Sequence, residues 1–481
     1  EYFGRTEYSD PNEFWKDFDA PDDELSDLRR KFLHLWRIMA PLYHGLHERL
    51  ESMDLSTTGG LYRSALSVLR EKGRDILPYR KVTAVGFNAL STAERAIFTE
   101  LRDMEPYPGE DTFADFFWDA TGPVLNGAGN SASKFVRSNI RSFPCPEWAL
   151  HILRQSDTPD MPSEIKVVAS PSNSAQVKIA GTLLSELRGR LTQEEFNDAR
   201  VAVVLPDENL LLPMLYSLPA GMGDVNLTMG YPLRLTSVVP FVSLLRRLHF
   251  NMRETPGGKA FYHKDLRLFL AHPYPHALLG SDVIEKINGY LDSYHKAVIS
   301  LNELAAISEK AESLLSSLDR IATPLDAIDR LDEILSDVKN SLTREESGLV
   351  KTRLEISHIE IYRDALRRMR ELLQEYNTDM KAATALRLAD RLLAGEKVGF
   401  EGEPLVGLQV MGMLETRSID FDHIFILSAN ERILPMRART RSFIPDTLRR
   451  AFGMPPSNYA ESIFAYYFYR MISRARGVTM I

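Results

Sequence analysis

A single cysteine, Cys145, occurs in 481 residues. Its isolation excludes a disulfide framework and a four-cysteine metal site within the sequence, and it fits a reducing compartment, with the cytoplasm as the natural location. Long apolar runs are missing as well: no stretch of about 18 apolar residues exists for a membrane span, so no membrane partner is expected. The opening EYFGRTEYSDPNEF lacks the basic and apolar regions of a signal peptide. Glu1 at one end and the strand-like GVTMI at the other fit a piece excised from something longer. An excess of positive charge is also absent. The net charge of -8 argues against a wholly basic nucleic-acid binder, yet leaves room for a local basic groove, because phosphate responds to the local field more than to the sum. What is present is 44% hydrophobic residues, enough for several cores, over a length that suggests roughly two to four domains.

The most informative stretch is MLETRSIDFDHIFILSANERILP, Met413 to Pro435. A polar turn feeds the apolar run Phe421, Ile424, Phe425, Ile426, Leu427, followed by a loop from Ser428 to Arg432 closed by Pro435. A continuous apolar run between polar loops is the pattern of a central parallel strand covered on both faces. Ligands of such sheets sit at strand ends, so the flanking polar residues mark a candidate site.

Elsewhere the periodicity is mixed. Leu28 to Leu50 repeats apolar residues at three and four spacing, and a second helix runs from Tyr62 to Glu71 after Gly59-Gly60. Val82 to Phe87 reads as a short strand, followed by a helix that Ser91 and Glu94 start as a capping box. Ser163 to Leu248 alternates strand and helix: IKVVAS, a helix from about Ala175 to Arg190, RVAVVLP, a helix through LLLPMLYSLP, NLTMG, and a helix from Val238. That alternation argues for a parallel sheet. From about His249 to Gly399 the text turns strongly helical with hardly any strand signal, and no heptad register persists there as a coiled coil needs.

Two features suit nucleic acid, each with a plainer reading beside it. Phe113, Phe116, Phe117 and Trp118 could stack bases, or simply pack a core. Lys134, Arg137 and Arg141 share one helical face and could contact phosphate, or only face solvent. A third cluster, Arg432, Arg437, Arg439, Arg441, Arg449 and Arg450, has only Asp446 against it in RILPMRARTRSFIPDTLRRAFG. Arginine favours bidentate phosphate contacts, though it pairs equally well with carboxylates of a neighbouring domain.

The Met413 to Pro435 stretch resembles motif V of superfamily one DNA helicases of the UvrD/PcrA and RecB type. On that pattern the family's Thr falls on Gly412, its His on Leu414, its Lys on Arg417, its Gly on Ser418 and its acidic nucleotide contact on Asp420. Tyr469 to Ala475 resembles motif VI, which puts Arg474 on the γ-phosphate arginine. The strand at Val82 resembles the one ending in motif II, but Val85 and Gly86 stand where the magnesium ligand and the water-activating carboxylate belong. Pro206 stands where motif IV has an arginine, and no GxxxxGK[ST] phosphate loop occurs. The hydrophobic frame survives while the chemistry is thinned.

The resemblance implies an α/β fold of RecA-like, P-loop-NTPase-like parallel-sheet motor domains, degenerate, with large all-helical insertions. Its implied divisions are a helical 1B-like segment at 1–80, the remainder of a first motor-like domain at 81–160, the first half of a second at 161–255, a helical 2B-like insertion at 256–398, and the second half, with motif V and VI remnants, at 399–481. The order is similar to AddB-type and RecC-type subunits of bacterial helicase-nuclease complexes, often joined to a PD-(D/E)XK nuclease domain. Such folds hydrolyse ATP only with a phosphate cradle, metal ligand, water-activating carboxylate and arginines acting together. The expected site is therefore a degenerate nucleotide contact of Arg474, Asp420 and Arg417, and a DNA contact of Arg437, Arg439, Arg441, Lys134, Arg137 and Arg141. No catalytic or metal residue is assigned, and no cofactor within this chain; the resemblance puts ATP and magnesium in an intact parent. Expected partners are single-stranded DNA or a duplex end, and another helicase-nuclease subunit. Two rivals stay open: an active ATP-dependent helicase or exonuclease whose P-loop and nuclease lie outside this sequence, and a subunit-pairing scaffold that does not bind DNA.

Overall fold

The computed structural model describes residues 27–120, 122–127, 129–149, 162–192, 196, 200–256, 258–344, 350–376, 380–393, 395–399, 407–435, 444–456 and 458–481. The chain is mixed α/β and divides into two units, Glu1–Asn226 with Glu403–Ile481, and Leu227–Gly402.

Among the described residues the first unit opens with two helices, α1 (Asp27–Glu51) and α2 (Thr58–Lys72). The Thr57 hydroxyl caps α2 by accepting from the Gly60 amide. Strand β1 (Val82–Val85) then pairs in parallel with β2 (Ala114–Phe117), Val82 facing Ala114 and Val85 facing Phe117. The crossover is α3 (Thr92–Asp103), opened by the capping box that the sequence places at Ser91 and Glu94. Helix α4 (Lys134–Ser142) follows. The aromatic cluster lies inside this module. Phe113, Phe116 and Trp118 are buried, Phe116 stacks on Trp118, and the Trp118 indole donates to the Phe143 carbonyl at 2.7 Å. Those three rings have no open face, which corrects the base-stacking reading for them; large aromatics bury more area than any other side chains, and the core takes them.

A six-stranded parallel sheet forms the rest of the unit: β3 (Glu164–Val167), β4 (Val201–Val204), β5 (Val225–Leu227), β6 (Leu408–Met411), β7 (His423–Ile426) and β8 (Gly477–Met480), in the order β3-β8-β7-β4-β6-β5. Register puts Ile424 beside both Ala202 and Val478, and Val410 beside Val203. Every residue of β4 and β6 is buried, as a strand covered on both faces requires. Phe421, Ile424, Phe425, Ile426 and Leu427 are all buried as the apolar run implies. Helix α5 (Asn173–Arg190) crosses from β3 to β4, and α6 (Tyr459–Ser473) crosses from β7 to β8. The α6 side chains Tyr466 and Tyr467 belong to the aromatic core of the β1/β2 module, while Met471 and Ile472 belong to the core of the large sheet. One helix thus serves two cores.

The second unit, Leu227–Gly402, is mainly helical. Its helices Pro324–Arg344 and Val350–Tyr376 pack against each other, and Ile328, Leu331, Leu335, Ile359, Tyr362 and Leu366 on them are buried. Arg363 grips Asp332 with two nitrogens at 2.8 and 3.1 Å along that seam. The insertion is not all-helical, however. Arg253–Thr255, Gly258–Tyr262 and Val298–Ser300 form a three-stranded antiparallel sheet, and Tyr231–Pro232 pairs with Lys397–Val398. Strands of two to five residues are too short to raise a period-two signal. The unit also starts at Leu227 and so contains the helix Val238–Phe250, which the sequence-based division puts in the second motor-like domain.

Candidate functional site

Helix α6 presents Tyr466 and Arg470 at i and i+4, and Arg474, its C-cap, follows four residues further on. All three reach Asp119, just beyond the carboxyl end of β2. The Tyr466 hydroxyl donates to the Asp119 carbonyl at 2.8 Å. Arg470 Nε meets Asp119 Oδ2 at 2.8 Å, and Arg474 Nη2 meets Asp119 Oδ1 at 3.2 Å. The same two guanidiniums hold Asp420, in the turn before β7: Arg470 Nη2 to Oδ1 at 2.8 Å and Arg474 Nη1 to Oδ2 at 3.2 Å. Arg470 also donates to the Ile419 carbonyl. Two arginines and two aspartates close a ring in which each cation bridges both anions. The Arg470 side chain is 6% exposed, against 24% for Arg474 and 34% for Asp420, so the ring has a buried side and a wet side.

The ring is electrically balanced, and each of its four groups is ion-paired. Burial, with Asp119 beside it, pushes the Tyr466 phenol well above its ordinary pKa, so it stays a proton donor and adds no charge. Beside the ring lies a cavity of ≈ 280 Å³ lined by Arg200, Gln409, Ser418, Asp420 and Phe421 among others, just short of the roughly 300–1,000 Å³ usual for ligand pockets. Ring and cavity sit at the amino ends of β7 and β8, not at the carboxyl ends where open parallel sheets usually bind ligands. At the carboxyl end, Ser428 is tied down by Gln176 of α5, whose Oε1 accepts from the Ser428 amide at 2.8 Å.

The remaining site residues are dispersed. Arg417 is exposed in the turn after β6. Its neighbour Ser418 approaches Gly86, where a Cβ would stand 3.1 Å from the Ser418 hydroxyl, and Gly86 itself has φ +74. A carboxylate side chain at that position would be strained in backbone and crowded in space. On α4, Lys134 and Arg141 are exposed and Arg137 is half-buried, with the Lys134 ammonium 5.5 Å from the Phe135 ring centroid. Arg437, Arg439 and Arg441 lie outside the described residues. Among the described residues no group of three or more His, Cys, Asp or Glu side chains could hold a metal ion, and no helix is long and apolar enough to cross a membrane.

Sequence reasoning singles out Arg474 and Asp420 and misses the two residues that complete the ring. Arg470 has a readable signal, since it stands one helical turn before Arg474. Asp119 has none, because its partner on α6 is 351 residues away. The fold and site together define a mixed α/β protein with a six-stranded parallel sheet and a part-buried arginine–aspartate ring. Compared with protein-family models and with curated proteins, the chain matches none of them.

Proposed function

We propose that this chain is a non-catalytic, helicase-like α/β scaffold, with RecA-like sheets, that binds a nucleic-acid strand at a broken duplex and guides it toward a partner motor or a tethered nuclease. The observation that carries the non-catalytic part is the ring. The arginine that the resemblance puts on a γ-phosphate, Arg474, is bonded to Asp119 and Asp420, and Asp420, the expected acidic nucleotide contact, is bonded to it in turn. Phosphoryl transfer needs guanidinium groups aimed at developing phosphate charge, with a metal and a base beside them. Here both arginines are already neutralised, and Gly86 stands where the base belongs.

The nucleic-acid part is supported by the cationic face of α4, where Lys134, Arg137 and Arg141 recur on one side of a nine-residue helix. Three cations on a rigid element contact a backbone without reading sequence. ATP and magnesium belong, on this reading, to the partner motor and not to this chain.

The test is binding of a fluorescent single-stranded oligonucleotide, and of a tailed duplex, across a salt series, with ATP turnover measured alongside. Salt-steep binding is expected, with the slope of log K against log salt reduced by about 2 to 3 in Lys134→Ala/Arg137→Ala/Arg141→Ala. A second triple variant at Arg437, Arg439 and Arg441 reports the other arginine cluster. DNA-stimulated ATP hydrolysis, or no binding by the folded protein at low salt, would overturn the reading.

A further inference from the structure

Helix α1 is 25 residues long, and Phe32 is its one fully buried apolar residue among those whose burial is described. Leu35, Met39, Leu42 and Leu46 are exposed by 40, 41, 68 and 49%. Their spacing of four, three and four places them on one line, the seam that a helix offers to another helix. Ile38 and Tyr43 flank the line and are exposed too, and α2 adds the exposed Leu61. Single exposed leucines are ordinary, but a continuous stripe of them marks an interaction surface.

The ends of the stripe are charged. Lys31, four residues before Leu35, and Arg49, three after Leu46, continue the same line and are both exposed. Residues 27–72 carry eight Lys and Arg against five Asp and Glu in a chain whose net charge is -8, so the local sign is reversed. We propose that this seam is a docking groove for one amphipathic helix of a partner protein, apolar along its middle and acidic where it meets Lys31 and Arg49.

The alternatives fit less well. Two copies of this seam would bring Lys31 against Lys31 if parallel, or against Arg49 if antiparallel, like charges in either case. A lipid surface asks for a broad apolar face with cations along its length, whereas on this line Lys31 and Arg49 stand only at the two ends. A repeat of about 3.5 residues is the spacing a helix matches. The inference rests on the first two helices and is independent of the nucleic-acid reading.

The experiment uses the full chain and two labelled synthetic peptides about three heptads long, each with leucine on its seam, one ending in glutamates and the other in lysines. Fluorescence anisotropy is expected to show the acidic peptide binding at least about tenfold more tightly than the basic one. Leu42→Glu should abolish binding of the acidic peptide while leaving the circular dichroism unchanged. Lys31→Glu/Arg49→Glu should reverse the preference between the peptides, which unfolding cannot imitate. Equal binding of both peptides, or binding of neither, overturns the proposal. So does a dimer in sedimentation that Leu42→Glu dissociates, which would make a second copy the occupant, and so does binding to anionic phosphatidylserine vesicles that Leu42→Glu removes.

Discussion

Arg470 is the residue on which the ring depends. It is the most buried of the four and contacts both aspartates and a backbone carbonyl. Removing one partner from a buried ion pair leaves the other charge uncompensated, at about 3 kcal/mol or more. Arg470→Ala is therefore expected to lower stability by about 3 kcal/mol in urea denaturation, and Arg474→Ala, on the wet side, by only about 1 kcal/mol. Equal losses would show that the ring is not anchored at Arg470. A second prediction concerns His272, in the Leu227–Gly402 unit. Its Nδ1 accepts from the Tyr274 amide, capping the helix Pro273–Leu279, so Nε2 carries the hydrogen that faces the Ser237 carbonyl at 3.0 Å. A proton on Nδ1 removes the cap. Burial lowers this pKa, against the opposing pull of the Ser237 carbonyl and Glu355, and the Phe241 and Tyr274 rings crowd the imidazole. The neutral ring's contribution is complete above the ordinary value near 6.5, and it is lost as the pH falls through the lowered folded-state value. His272→Asn keeps an acceptor that does not titrate. It should narrow the drop in urea midpoint between about pH 7.5 and pH 5 relative to the parent, by about 1 kcal/mol of capping energy; an unchanged pH profile would refute the assignment. In the sequence His272 is one histidine of 11, and its role depends on Ser237, 35 residues away, which no local pattern reveals.

At the scale of elements, helix α5 holds two glycines in opposite circumstances. A Cβ on Gly181 would lie 2.2 Å from the Ser217 carbonyl oxygen, on the short helix Leu211–Ser217, whereas nothing stands within 4 Å of one on Gly189. Gly181→Ala is expected to cost about 2 kcal/mol through overpacking against backbone. Gly189→Ala should stabilise by about 0.5–1 kcal/mol, since alanine is the better helix former. Thermal melts of the two variants should move in opposite directions. The elements legible in the sequence are those whose cause is local. The run Ile424 to Leu427 is apolar on both faces, Ser91 and Glu94 cap α3, and α5 is capped by Ser172, close to the start expected near Ala175. The antiparallel strand Arg253–Thr255 is three residues long and mostly exposed, so alternation had no room to show. The role of α6 as a wall shared by two cores is not legible in the sequence, because the aromatic core it joins comes from residues 90–143.

At the scale of the molecule, the Leu227–Gly402 unit leaves the sheet after β5 and returns before β6, and those two strands are neighbours. The Leu408 amide donates to the Asp224 carbonyl at 3.0 Å, so the chain comes back beside the start of the strand it left. Replacing residues 228–406 by a flexible linker of about eight residues has to span only roughly the length of β5, some 10–15 Å. The shortened protein is expected to keep the far-ultraviolet dichroism of a folded α/β protein and a cooperative melt. A molten product would show that the first unit does not stand alone.

The arginine–aspartate ring also constrains how such a protein changes through descent. Its charges come from the segment after β2, the turn before β7 and the helix α6. Loss of any one leaves an opposite charge stranded in a half-dry place, so single replacements are selected against and compensated ones tolerated. In relatives that keep this packing, positions 119, 420, 470 and 474 should vary as a set, with two acids and two bases retained together or four uncharged residues in their place.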